Sequence, residues 1–177
     1  MKNADLLLIE SKKDEFSNLI ANSTSINLNY SHVALVYVNN EDEFVIHAIP
    51  NRGVVKQRMS HFLADRNDQG IDLYRVTKDI DRDEVISRAK SMLGKPYNNL
   101  FLNQYDSLYC SQLVTYAFEK EGVFELMPLR FGPDKQIDKE WVKYYQEYEM
   151  TVPTDEMGSS PNSLVESEII KLIEHVQ

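Results

Sequence analysis

Two stretches, His32–Val38 and Phe44–Ile49, constrain the fold of this 177-residue chain more than any other feature. Both are dense in β-branched and aromatic residues, and only the polar run Asn39-Asn40-Glu41-Asp42-Glu43 separates them. Such a pair reads as an antiparallel hairpin, which needs a sheet around it to bury its apolar face. Further strands are predicted at Leu6–Ile9, at Val54-Val55 after the turn Asn51-Arg52-Gly53, and at Ile71–Val76. Apolar residues at helical spacing predict helices over Lys13–Ala21, Asp81–Leu93 and Ser107–Glu121, the last two stopped by Gly94 and Gly122. Asn22–Asn29 reads as loop, Ser60–Gly70 as a helical turn and loop, Pro128–Met150 as mostly loop, and Ser163–Val176 as a terminal helix. Antiparallel strands beside a few helices make an α+β class, and the length suits a single domain over residues 1–177.

Charge narrows the function. The formal net charge is −9, and no Lys/Arg stripe offsets it, so nucleic-acid binding is disfavoured. The apolar run Leu6-Leu7-Leu8-Ile9 is too short for a signal-peptide core or a membrane span, so no stable membrane insertion is expected. One cysteine permits no internal disulfide and suits a reducing compartment. The expected location is cytoplasmic, although a chain trimmed of an export signal would look the same.

That single cysteine, Cys110, falls early in the helix predicted from Ser107, which reads as its N-cap. Near a helix N-terminus the partial positive charge favours thiolate, and the thiol becomes a nucleophile. Against this stands the habit of cysteine to be buried and merely packed. His32 opens the apolar strand where a packing residue is expected. A two-residue turn at Asn39-Asn40 would set it directly opposite His47, with Cα atoms about 4.5–5.5 Å apart. Nucleophile, base and orienting group are then present, and a thiolate–imidazolium pair is the expected resting state. The same three residues could ligate zinc, but the fourth ligand and the close Cys pairs of structural sites are missing. His61 and His175 match no pattern and read as surface residues. Trp141, Tyr144, Tyr145 and Tyr148 could line a groove or simply pack.

Several segments together resemble the YiiX/YaeF-like branch of the NlpC-type hydrolases, whose papain-like core is circularly permuted. Asp5-Leu6-Leu7-Leu8 resembles its opening strand, and Phe16–Ile20 the segment that follows. Tyr30-Ser31-His32-Val33-Ala34-Leu35-Val36 is similar to its histidine strand, and Val45-Ile46-His47-Ala48 with Gly53-Val54 to its next one. Gly94-Lys95-Pro96-Tyr97 and Tyr109-Cys110-Ser111-Gln112-Leu113-Val114 resemble the approach to the nucleophile and its helix, and Pro153 to Ser163 the C-terminal segment. The order, histidine before cysteine, is the permuted one. The resemblance implies an antiparallel sheet or partial barrel packed against helices. It implies hydrolysis or transfer at an amide, ester or thioester through an acyl-enzyme on Cys110, with His32 as base and His47 orienting it. His47 stands where many members carry glutamate, and a neutral ring stabilises an imidazolium less well than a carboxylate. Tyr97 is the implied oxyanion-side or substrate-binding residue. A small peptide, amide or lipid-like acyl substrate is implied, with no cofactor and no metal. A binding module that kept the fold without activity is the competing reading.

Overall fold

The computed structural model describes all residues except Lys13, Asp134 and Lys135. Among the described residues the elements run in the order β1 (Leu6–Glu10), α1 (Glu15–Thr24), β2 (Tyr30–Asn39), β3 (Asp42–Ile49), β4 (Gly53–Arg58), α2 (Met59–Ala64), β5 (Ile71–Val76) and α3 (Arg82–Ser91). Then come α4 (Cys110–Ala117), a 3₁₀ turn (Glu119–Glu121), β6 (Met127–Pro128), α5 (Lys139–Gln146), β7 (Met157–Gly158), α6 (Pro161–Val165) and β8 (Ile170–His175). Six strands form one antiparallel sheet in the order β4-β3-β2-β1-β5-β8, and β6 pairs with β7 apart from it. The α+β expectation holds.

Alternation along the hairpin divides the interior in two. Val33, Leu35 and Ile46 face α3 and α4, joining Val85, Ala89, Leu113 and Val114 in the main core. Ala34, Val36 and Val45 face the other way, against Met59 and Phe62 of α2. Both cores are tightly filled: Leu35 and Ile46 are 0 % exposed, and truncating either to alanine should cost about 2–5 kcal/mol. A third, aromatic cluster of Phe131, Trp141 and Tyr145 lies outside both, packed with Phe16, Ile20 and Phe101.

Two irregularities in β2 place the site. Ile9 pairs with His32 but Glu10 pairs with Tyr30, so Ser31 is an extra, bulged residue. The bulge resets the alternation, and Tyr30 and Val33 therefore belong to the same core. On the other edge the β2–β3 ladder ends at Leu35↔Ile46, whereas β3 stays paired with β4 as far as Ile49↔Gly53. The start of β2 is thus free of β3.

Several expectations need correction. The hairpin turn is Asn40-Glu41, because Asn39 pairs with Asp42, so the register is two residues from the one that sets His32 opposite His47. Asn40 takes a left-handed φ of 56°, which asparagine tolerates and most residues do not. Ser163–Val176 is not one helix. Its Ile170–His175 half pairs with β5, whose open edge offers backbone partners that outweigh a mixed helical pattern. Pro128–Met150 contains α5, capped by Asp138, which accepts from the Glu140 N–H, with Trp141 and Tyr145 buried one turn apart. α4 begins at Cys110 with Tyr109 as N-cap, and Ser107 instead accepts a side-chain hydrogen bond from Gln104. The predicted first helix runs Glu15–Thr24, taking in part of the expected Asn22–Asn29 loop; its expected start, Lys13, lies outside the described residues.

Candidate active site

Cys110 is the first residue of α4, where the helix's N–H groups lack intrahelical partners. Its sulfur is met by the backbone N–H groups of Cys110, Ser111 and, from across the sheet, Val33. The Val33 amide can reach it because β3 has left β2 at that point. These donors favour thiolate, but burial dominates and pushes the thiol up to about 11. Burial thus opposes the thiolate that the helix terminus favours.

His32 follows the bulge and turns, with Ala34 and Val36, to the α2 side. There its Nε2 lies 3.0 Å from His47 Nδ1, with the rings at 67°. The two-residue change of register makes this a diagonal rather than a direct cross-strand contact, which side chains as long as histidine can span. His47 is 0 % exposed and packs edge-on to Phe62 at 5.2 Å. Burial, reinforced by the Arg66 guanidinium, lowers His47 to about 3. His32 is lowered well below 6.5 by burial first, then by His47 and Arg66. Both shifts favour the neutral rings.

Among the described residues no hydrogen bond joins the Cys110 sulfur to the His32 ring. The neighbours of His32 do reach the Cys110 surroundings: the Val33 N–H faces the sulfur, and Ser31 lines the same cavity as Cys110 and Tyr97. Tyr97 is held there by a bridge to Leu108. Burial and the Cys110 thiol keep its phenol well above its usual range, a neutral donor. His61 is exposed, as expected. His175 is exposed too, but it is hydrogen-bonded to Asp72 at 2.5 Å.

Sequence reasoning missed what lies beyond His47. Gln57 on β4 is its same-face diagonal neighbour, since His47 pairs with Val55. The Gln57 Nε2 donates to Asp65 at 2.7 Å, and its side chain favours a proton on His47. His47 Nε2 is fully buried and has no hydrogen-bond partner among the described residues. Arg66, stacked 3.9 Å over Phe62, was missed as well. Only β4's alternation could have pointed to Gln57; nothing in the sequence marks Arg66.

With this geometry in place, comparison with known proteins gives a family. Residues 1–174 match the model of the permuted papain-like amidase enzymes, the YaeF/YiiX or C92 family. The chain belongs to that family. A crystal structure described as metalloprotein YiiX from Escherichia coli O157:H7 superposes with a TM-score of 0.82 at 20 % identity, covering 98 % of this chain and 97 % of that one. It shares the fold. No curated protein matches. The description of that relative as a metalloprotein raises the question of a metal here. Among the described residues no group of three or more His, Cys, Asp or Glu is placed to hold one. Cys110, His32 and His47 do not form a ligand set, and the buried His pair uses one nitrogen of each ring on the other. Also among the described residues, no helix is long and apolar enough to cross a membrane.

Proposed function

We propose that the chain is a cysteine amidase or acyl hydrolase, with transfer to an acceptor other than water open to the same chemistry. Cys110 is the nucleophile, His32 the base, His47 the group that orients it and Tyr97 a donor to the oxyanion. The observation that carries this reading is the 3.0 Å contact from His32 Nε2 to His47 Nδ1. It engages the far nitrogen of the ring and leaves Nδ1 for the thiol, at the strand end that meets the start of α4. Because thiol and imidazole are both neutral at rest, the first step is general-base catalysis. As sulfur attacks the carbonyl carbon, the S–H proton passes to His32 Nδ1. The Cys110 N–H and the Tyr97 hydroxyl stabilise the oxyanion. The imidazolium then gives its proton to the leaving amine, alcohol or thiol, and an acyl-thioester remains on Cys110. Water, deprotonated by His32, releases the acid. The unmade sulfur–imidazole bond fits a site without substrate, where catalytic hydrogen bonds are commonly long.

Intact-mass spectrometry after mixing with acyl aminocoumarin amides and acyl thioesters tests the reading. The expected result is one acyl adduct on Cys110, absent from Cys110→Ser and strongly slowed in His32→Ala. No adduct from any donor would leave a binding module on the same fold.

A further inference from the structure

Arg130 stands between two cavities. Among the described residues it is the only Lys, Arg, Asp or Glu that lines the cavity holding Cys110. It also lines a second cavity, of about 770 Å³ and open to solvent. Thr24 is the other residue common to both, so the two cavities adjoin at this pair. A substrate that acylates Cys110 can therefore extend its other half past Arg130 into the second cavity. The inference drawn from this rests on the proposed acyl transfer to Cys110.

The second cavity is polar. Its walls include Asn22, Ser25 and Asn27 at the end of α1, and Glu166 just after α6. Ser25 Oγ accepts from the Asn27 and Leu28 N–H groups at 3.2 and 3.1 Å, which leaves its own proton to donate. Arg130 is exposed, and among the described residues neither it nor Glu166 enters an ion pair. Its guanidinium keeps a planar fork of donors that matches the two oxygens of a carboxylate. Negative charge is nearby as well. The end of α1 is the negative pole of that helix, with no basic residue in its last turn, and Glu166 adds a carboxylate. One negative charge beside Arg130 is better tolerated there than two, which favours a carboxylate over a phosphate dianion.

We propose that Arg130 binds a carboxylate on the amine half of the substrate, so that the enzyme cleaves acyl amino acids, the free C-terminal residue of a peptide included, in preference to amides whose amine half is neutral. The Cys110 sulfur bonds to the acyl carbon and the C–N bond breaks. His32 hands the thiol proton to the departing nitrogen, and the amino acid leaves. Water then converts the thioester to the free acid and the thiol. The test uses N-butyryl-alanine, N-butyryl-alaninamide and N-butyryl-O-phosphoethanolamine, which share one acyl group; the primary amine released is measured with fluorescamine. kcat/KM should favour butyryl-alanine over its amide by about tenfold, the worth of a charged hydrogen bond at an exposed site, mostly through KM. In Arg130→Met the ratio should fall to about one, and Arg130→Lys should restore part of it. Added salt should compress it in the native protein, because the pair is exposed. Equal rates for alanine and alaninamide donors, a ratio unmoved in Arg130→Met, or preference for the phosphoethanolamine donor would overturn the proposal while leaving Cys110 acylation intact. Binding supplies an arm that needs no turnover. The sole tryptophan, Trp141, donates from Nε1 to Ser23 Oγ at 2.8 Å, and Ser23 lines the second cavity. In the Cys110→Ala protein its fluorescence should saturate with butyryl-alanine at about tenfold lower concentration than with the amide, and Arg130→Met should erase that difference. If this holds although no donor acylates Cys110, the catalytic reading fails and the carboxylate site stands. If the two ligands saturate alike, the carboxylate site fails whatever the catalysis.

Discussion

The two halves of the site are built from different materials. On the α4 side the thiol is surrounded by backbone N–H groups and hydrocarbon, with no charged side chain among the influences on it. On the α2 side the imidazole pair is held by other side chains: His47, Phe62, Gln57 and a half-buried guanidinium at Arg66. Backbone donors cannot be titrated away, whereas the state of the His pair depends on what burial and Arg66 do to it. The shared outcome is neutrality. Burial raises the thiol and lowers both rings, so in each half it favours the uncharged form.

The largest test of this comparison removes one half at a time. Cys110→Ala should abolish turnover. His32→Ala should reduce kcat/KM on the order of a thousandfold, because a general base contributes about 10²–10⁴. Its fold should survive, since the adjoining Val33 and Leu35 remain buried. His47→Ala should cost less, about tenfold to a hundredfold, since a mis-oriented base still works part of the time. Equal losses in the two histidine variants would mean that His47 takes a direct part in proton transfer. Circular dichroism would confirm that all three proteins fold.

Resting neutrality is tested by pH. Cys110 alkylation by iodoacetamide should stay slow through neutrality and climb only toward about 11. A plateau reached below the ordinary thiol range would mean a preformed thiolate–imidazolium pair, and the two halves would then already be in electrostatic contact. On the acid side the sign is equally definite. The folded chain holds His47 near 3 and the unfolded chain near 6.5, so between those values only the unfolded state takes up the proton. Stability should therefore fall as pH drops through that window, with most of the loss complete near pH 3. Arg66→Met removes a cation that disfavours both charged rings. The acid limb of kcat/KM should shift upward, giving a few-fold loss at mildly acidic pH and little change at neutrality. An unmoved limb would show that burial alone sets the base.

How much of this was legible in the sequence follows the same division. The Cys110 helix was readable because its signals are local: an apolar stripe from Leu113 and a Gly122 stop mark it, although a polar Ser107 drew the cap two residues too early. The hairpin was readable too, but its register was not. Five polar residues between the strands admit several turns, and only the pairing of Asn39 with Asp42 decides among them. The His32–His47 contact survived that error because histidine reaches a diagonal neighbour. β8 was hidden because Leu172, Ile173 and Val176 suit a helix until β5 offers an open edge. The wall of the Cys110 cavity could not be read at all, since Ile20, Phe101, Leu129 and Trp141 are brought together only by packing among distant segments.

The smallest expected effect concerns Gln57, and it sharpens the base half most. Its Nε2 donates to Asp65, and its side chain, a same-face diagonal neighbour of His47 on the β4 register, favours a proton on that ring. If Oε1 accepts the Nε2 proton of His47, then His47 Nδ1 carries a lone pair. His32 must donate to it from Nε2, and His32 Nδ1 is left unprotonated, the tautomer a general base needs. Replacing Gln57 with leucine removes that selection without touching the substrate. Expected is a loss in kcat of about fivefold, the worth of one hydrogen bond of about 1 kcal/mol, with KM unchanged. Gln57→Glu keeps an acceptor, so it should restore kcat at neutral pH. Its carboxylate also favours a cation at His47, so the acid limb should move upward. Nitrogen chemical shifts of the two rings would report the tautomers directly. A Gln57 that merely packs would behave otherwise: both variants would lower the melting temperature together, the glutamate would rescue nothing, and the limb would stay in place.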